Sequence, residues 1–411
     1  MTDPLQTRIA DYLYDLPDDR IAQFPLDQRD SSKLLIYREG EITDDQFTNL
    51  GNHLTADSTL VFNDTRVIRA RILFEKPTGS KIEIFCLEPL EPARELQRAF
   101  SLPSGVVWTC LIGNLKRWKQ GKLERKITAG PHQVSLTAER IHGEEDGSFR
   151  VMFRWSPPEI PFSQVLDGAG QVPLPPYIHR DPEQSDSNRY QTIYARHDGS
   201  VAAPTAGLHF TDNLTTALQQ KGISLLKLTL HVGIGTFKPV TAPLISGHEM
   251  HQEHFIIPKE TIRRLYLQHG RPIIAVGTTS ARTLESLYWF GVRLYHEKEL
   301  KDHHLLQWEP YSSRLEACDP LKALEAVLTY LETRQLGYFA GATSLMIVPG
   351  YQFRMIGGLI TNFHMPGSTL LLLISALIGK EWSRVYKHAM DNSYRFLSYG
   401  DSCLFFNSGR F

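Results

Sequence analysis

Three segments in the second half of the chain share one grammar, and it restricts the fold more than any other feature. Asp212 to Lys221 has helical spacing with Asp212 as its expected cap and Gly222 as its stop. Ile223 to Leu230 is then an apolar strand running into a glycine-rich loop, His231 to Thr236. Thr261 to His269 repeats the helix and Gly270 the stop, and the buried strand Pro272 to Val276 delivers the loop Gly277 to Arg282. Met355 to Ile360 reads as a third strand, followed by a loop from Thr361 to Ser368 and an apolar helix from Thr369 to Ile378. Helices alternating with buried strands predict a mostly parallel α/β sheet. In such sheets ligands gather at the carboxyl ends of the strands, where these three loops emerge.

The first half reads differently. After a short strand at Leu60 to Asn63, apolar runs of strand length (Lys81 to Leu87, Val106 to Ile112, Val134 to Leu136, Phe149 to Trp155) alternate with glycine turns. This texture, between about Arg66 and Trp155, predicts a small all-β unit, a barrel. From Pro157 to Pro182 the chain is dense in Pro and Gly, which disfavours helix and predicts an extended connection at a domain boundary. His296 to Leu336 reads as a polar, partly helical insertion.

Composition narrows the function. Lys and Arg total 44 against 45 Asp and Glu in 411 residues, a formal net charge of −1, so no global field draws the chain to a polyanion. A nucleic-acid partner has to be held by a local patch. The 4 cysteines (Cys86, Cys110, Cys318, Cys403) have no C-x-x-C spacing, and a reduced, cytoplasmic compartment is expected. Met1 to Arg20 carries five aspartates and no apolar centre, so no export signal is expected. The longest apolar run, Leu370 to Ile378, falls short of the roughly twenty residues that cross a bilayer, and no membrane association is expected.

Four groups of residues carry chemistry, each with a plainer alternative. Small residues before His209 let a ligand approach the backbone, with His209 placed for proton transfer; equally they make a tight turn around a structural histidine. Thr278, Thr279 and Ser280 with Arg282 suit an anion at a helix start; equally Thr279 or Ser280 caps the helix and Arg282 pairs with Glu285. His231, His248, His251 and His254 with Glu249 or Glu253 resemble a ligand set for a metal-dependent hydrolase, but the zincin spacing of four is replaced by three, and a polar loop is the alternative. Lys116, Arg117, Lys119, Lys122, Arg125 and Lys126 flank Trp118, which is able to stack on an exposed base, and Arg66, Arg69 and Arg71 form a second basic run. A solvated hairpin face, or a noncatalytic RNA-binding module, is the competing reading there.

Seven strings in order go further: LVFNDTRVI at Leu60–Ile68, PLPPYI at Pro173–Ile178, AAPTAGLHF at Ala202–Phe210, TLHVGIGTF at Thr229–Phe237, AVGTTS at Ala275–Ser280, TNFH at Thr361–His364 and YRFLSYGD at Tyr394–Asp401. Together they closely resemble the S-adenosylmethionine:tRNA ribosyltransferase-isomerase family of queuosine biosynthesis, from about Asp11 to Phe405. The resemblance implies an α/β catalytic domain, residues 1–65 and 156–411, interrupted by a β-barrel, residues 66–155. It implies transfer of the ribosyl part of S-adenosylmethionine to 7-aminomethyl-7-deazaguanine in the tRNA anticodon, giving epoxyqueuosine with loss of adenine and methionine. S-adenosylmethionine is then a consumed substrate, and no cofactor or metal is expected.

Set inside these motifs, His209, His231 and His364, with His251 and Glu253, are the expected acid–base residues. Thr205, Gly233, Gly235, Thr278, Thr279, Ser280, Arg282, Glu285, Asn362 and Asp401 are the expected substrate contacts. Arg66, Arg69, Arg71, Lys116, Arg117, Trp118 and Lys119 are the expected tRNA contacts, and a monomer is the working expectation. Arg69 stands where many relatives have proline, the stretch from about His296 to Ala342 is longer than in compact members, and Pro366 to Ser368 reads Pro-Gly-Ser where some have Pro-Glu-Ser.

Overall fold

A computed structural model describes residues 3–144, 147–233, 240–312 and 315–407. Its strands form two large sheets. The first has ten strands, in the order His304–Leu305, Tyr338–Thr343, Glu253–Pro258, Ser224–Leu230, Thr59–Asn63, Ile273–Val276, Gly358–Asn362, Ser402–Phe406, Lys33–Arg38 and Glu41–Gln46. The four central strands, Ser224–Leu230 through Gly358–Asn362, pair in parallel, and antiparallel strands are added towards both edges. Being covered on both faces, these central strands are apolar almost throughout.

The helix Thr278–Glu297 follows one central strand directly and is buried along most of its length. It lies between the sheet and the helix Pro320–Thr333, whose Ala323, Leu324, Val327 and Leu331 are buried. Gly291 lets the two helices meet: a Cβ there would stand 2.4 Å from the Ala323 carbonyl oxygen. The segment expected as an insertion therefore supplies a core helix and the edge strand His304–Leu305, because its apolar residues recur on one helical face.

The second sheet has seven strands, Gly170–Gln171, Arg71–Glu75, Lys81–Glu91, Val106–Gly113, Phe149–Ser156, His132–Gly143 and Lys122–Ala129, all antiparallel. It curls into a half-barrel without closing its backbone ladder. Across the open side, Arg125 on the last strand donates to Leu73 O at 2.8 Å and to Ala169 O at 3.0 Å. The helix Phe162–Ala169 fills the gap, its Phe162, Val165 and Leu166 buried in the same core as Trp108 and Phe153. At Gly168 it meets strand backbone, since a Cβ would lie 2.4 Å from Thr128 O. The proline-rich stretch was thus misread in part: Pro161 is the N-cap position, where proline's fixed φ suits a helix start, so a helix forms inside that stretch.

Boundaries elsewhere shift slightly. Thr211, not Asp212, caps the helix Asp212–Gln220, its hydroxyl accepting from Leu214 N at 3.2 Å. Thr361 and Asn362, expected in a loop, are the last residues of a strand.

Candidate active site

The register brings the expected acid–base residues to one end of the large sheet. The parallel strands end there at Asn63, Leu230, Val276 and Asn362. Their antiparallel neighbours begin there: Ser402 is opposite Asn362, and Phe255, two residues after Glu253, is opposite Leu230. Leu34 is opposite Ser402 in a parallel pair, so Ser32 is delivered to the same end.

His209 ends the 3-10 turn Thr205–His209 and is buried. Its Nε2 lies 3.1 Å from Asn362 Oδ1 and its Nδ1 2.8 Å from Ser32 Oγ. The Asn362 amide nitrogen donates to Leu397 O at 2.8 Å, which turns the amide oxygen towards His209. Hence Nε2 carries the proton and Nδ1 accepts from the Ser32 hydroxyl, a Ser–His–Asn relay. Burial, only partly opposed by the Asn362 hydrogen bond, lowers the imidazole pKa to about 4, so the ring is neutral at neutral pH. The small residue at Gly207 answers a packing need: a Cβ there would lie 1.9 Å from the Tyr194 hydroxyl.

A second chain of contacts joins three separate segments. Arg282 Nη1 donates to Glu253 Oε2 at 2.6 Å, and Glu253 Oε1 lies 3.1 Å from His251 Nε2. Burial pushes the Glu253 carboxyl up, but Arg282 and His251 outweigh it and hold the group ionised below its usual range. His251, partly exposed beside Gly233, is thereby oriented with a carboxylate behind its Nε2. The alternative local pair, Arg282 with Glu285, does not form. Glu285 is fully buried and accepts from the main-chain nitrogens of Arg354, Met355 and Ile356 at 2.9, 2.8 and 3.1 Å, and from the Tyr351 hydroxyl at 3.0 Å. It anchors the chain before a central strand, and its expected substrate contact is withdrawn for that reason.

His231 lies between these groups, its Nδ1 3.0 Å from Thr65 Oγ1 and its ring packed on Gly199. Burial, with His197 and His254 nearby, lowers its pKa to about 4. It lines a cleft of about 1140 Å³ with Asp64, Thr229, His254, His303 and His304, and Arg94 and Glu95 from the half-barrel side complete the wall. His364 faces inward instead: its Nε2 is 2.9 Å from Thr361 Oγ1, its main chain bonds Tyr14 and Tyr386, and burial lowers its pKa to about 3. Among the described residues no group of three or more His, Cys, Asp or Glu is gathered as a metal site.

The loop at Gly277 is shorter than expected, because the helix starts at Thr278. Neither Thr279 nor Ser280 caps it; Ser280 Oγ donates back to Val276 O at 2.8 Å, and Asn63 Nδ2 reaches 3.5 Å from Thr279 Oγ1. Gly277 takes φ +90°, a region that side chains rarely adopt. Asp401 is engaged by Arg395 Nη2 at 3.3 Å and by the main-chain nitrogens of Lys33 and Arg395 at 3.1 and 2.8 Å, so it shapes the loop before the last strand rather than offering a free carboxylate. Gly235 lies outside the described residues.

On the half-barrel, Lys116, Arg117 and Lys119 are exposed. Trp118 is buried in the sheet's core, its indole N–H donating to Gly121 O at 2.9 Å, so it is not a base-stacking platform. Arg66 is exposed, Arg69 donates to Asp167 O at 2.9 Å, and Arg71 is paired with Glu83 at 2.7 Å. Sequence reasoning missed Ser32, Arg29 and Arg189, which meet around His209; nothing local marks them.

The chain is also similar to known proteins. A family model described as queuosine biosynthesis protein matches residues 9–405. The chain belongs to that family. A Halothermothrix orenii protein named S-adenosylmethionine:tRNA ribosyltransferase-isomerase is 37% identical over 404 residues, covering 97% of this chain and 99% of its own. A Nitrosomonas europaea protein of the same name is 37% identical over 399 residues, covering 96% and 95%. A crystal structure of a Thermotoga maritima S-adenosylmethionine tRNA ribosyltransferase aligns over 96% of this chain and 99% of its own at 26% identity, with a TM-score of 0.45, too loose an overlay to transfer geometry. Among the described residues no helix of this queuosine-family chain is long and apolar enough to cross a membrane.

Proposed function

We propose that this chain transfers and isomerises the ribosyl moiety of S-adenosylmethionine onto 7-aminomethyl-7-deazaguanine at the tRNA wobble position, releasing adenine and methionine and leaving epoxyqueuosine. The observation that carries this is the extent of the similarity: relatives of that name align along nearly their whole length. S-adenosylmethionine is the consumed ribosyl donor, since its sulfonium supplies both activation and leaving group.

The chemistry needs a base for the carbon beside the sulfonium, a hydrogen bond or proton for the departing purine, and an unprotonated acceptor amine. His251 suits the base: one nitrogen is fixed on ionised Glu253, and Arg282 fixes Glu253 in turn. Arg282 thereby moves from the expected anion contact to a positioning role. His231 on the cleft wall and His209 through Ser32, both neutral at working pH, suit proton acceptance, as from the acceptor amine. His364, turned into the core, supports the strand end. Thr205, Gly233, Thr278 and Thr279 remain proposed substrate contacts around the same strand ends.

The half-barrel, most of whose strands fall in the expected unit 66–155, offers Lys116, Arg117 and Lys119 to tRNA phosphates, with Arg66 and Arg69 nearer the large sheet. The cytoplasm is the proposed compartment. Free adenine is the readout: the protein is incubated with S-adenosylmethionine and tRNA bearing the aminomethyl-deazaguanine or unmodified guanine. Adenine release with the first alone is expected, and none with either ends the enzyme reading.

A further inference from the structure

Beyond His209 lies a small cavity walled by Ser32, Leu208, Arg29, Arg189, Arg395 and Tyr399. Its cations are unevenly balanced. Arg395 has Asp401 as a partner. Arg29 donates to three main-chain carbonyls, those of Gln191 at 2.8 Å, Leu208 at 3.3 Å and Asn188 at 2.7 Å. Arg189 donates to the carbonyls of Asp27, at 2.9 Å, and Leu26. Neither forms an ion pair with a carboxylate among the described residues, and each is half-buried. The Arg189 Nε is buried without a partner. Two adjacent guanidiniums are thus held by neutral carbonyls, and burial together with the neighbouring Arg189 pulls the Arg29 pKa down.

We propose that this cavity, of about 20 Å³ and open on one side, takes one non-bridging oxygen of a phosphodiester of the substrate tRNA beside the target nucleotide, the rest of the group lying at its mouth. Planar guanidiniums suit a phosphate bidentately. The competing oxyanion, the carboxylate of S-adenosylmethionine, carries an α-ammonium beside it, and no carboxylate side chain lines the cavity to receive that cation. The site also stands next to the Ser32–His209–Asn362 relay, so a phosphate held here registers the anticodon loop against the proposed chemistry. The inference rests on tRNA being the substrate.

The test uses the full chain and an anticodon stem-loop carrying 7-aminomethyl-7-deazaguanine. Binding is measured against salt for the wild type, Arg189→Gln and Arg29→Gln/Arg189→Gln. Neutralising one phosphate contact is expected to flatten the log K against log salt slope by about 0.7 to 0.9 and to leave the KM for S-adenosylmethionine unchanged. Single methylphosphonates placed around the target nucleotide are scanned in parallel with the wild type, so a variant that does not fold leaves the question decidable. One position is expected to weaken wild-type binding about tenfold. Where Arg189→Gln folds, it is expected to be indifferent to that position. An unchanged slope in a folded variant, no sensitive methylphosphonate, or a raised KM with an unchanged slope overturns the proposal. Failure of the wild type to bind the stem-loop at all instead overturns the tRNA reading itself.

Discussion

Arg282 and Glu253 meet at 2.6 Å across the gap between the most buried helix and a strand three places along the sheet. The pair is shut away from solvent, and the second carboxylate oxygen of Glu253 meets His251. A buried pair of this kind is costly to break from one side only, because the remaining charge is stranded.

Removing either charge therefore strands the other. Arg282→Ala is expected to destabilise the protein by about 3–5 kcal/mol, seen as an early denaturation midpoint. Glu253→Gln keeps the shape and is expected to cut adenine release by about 10²-fold or more, with its own loss of stability because Arg282 is then the stranded charge. A Glu253→Gln enzyme with normal turnover would remove His251 from the role of base.

The relay at His209 makes a second, separable claim. Ser32→Ala and His209→Gln are expected each to slow adenine release, and the double variant to be little worse than either alone, since members of one chain do not act additively. Fully additive losses in a double-mutant cycle would show that the two residues work apart.

Two buried imidazoles and a third on the cleft wall, all neutral, make the fold sensitive to acid. His209 and His231 have pKa values lowered from 6.5 to about 4, and His364 to about 3, chiefly by burial. The unfolded chain takes up these protons first as pH falls, so the stability they confer is complete above about pH 6.5 and is lost progressively towards pH 4 and below. The contribution is on the order of 3 kcal/mol per histidine. Urea titrations at pH 7, 6 and 5 are expected to show a falling midpoint, and His364→Gln a shallower fall; a midpoint independent of pH contradicts this.

Trp118 and its charged neighbours separate cleanly. Trp118→Ala is expected to cost about 3–5 kcal/mol of stability through the cavity it leaves. Lys116→Ala, Arg117→Ala and Lys119→Ala together are expected to weaken tRNA binding and flatten its salt dependence at unchanged stability. A salt slope that does not move places the tRNA surface elsewhere.

What could be read from sequence was what is local. The strands Ser224–Leu230 and Ile273–Val276 and the helix Thr369–Ile378 announce themselves by runs of side chains whose neighbours are a few residues away. Local spacing pairs Arg282 with Glu285, three residues on in the same helix, whereas its partner is 29 residues back on a strand. Ser32 and His209 are 177 residues apart, and no periodicity encodes their meeting. One signal was present and unread. Leu123, Arg125, Ile127 and Ala129 alternate on the strand Lys122–Ala129, which turns Arg125 inward with the apolar residues and away from the basic cluster it was counted in.

That inward arginine leaves the half-barrel with a seam. Where a closed barrel is laced shut by a row of main-chain rungs, here the last strand is latched by one guanidinium to Leu73 on the strand Arg71–Glu75 and to Ala169 at the end of the two-turn helix that stops the gap. Such a wall can be unzipped along one line while every rung of its ladder stays intact. The amides flanking that line are thus where solvent deuterium should first enter an otherwise folded molecule.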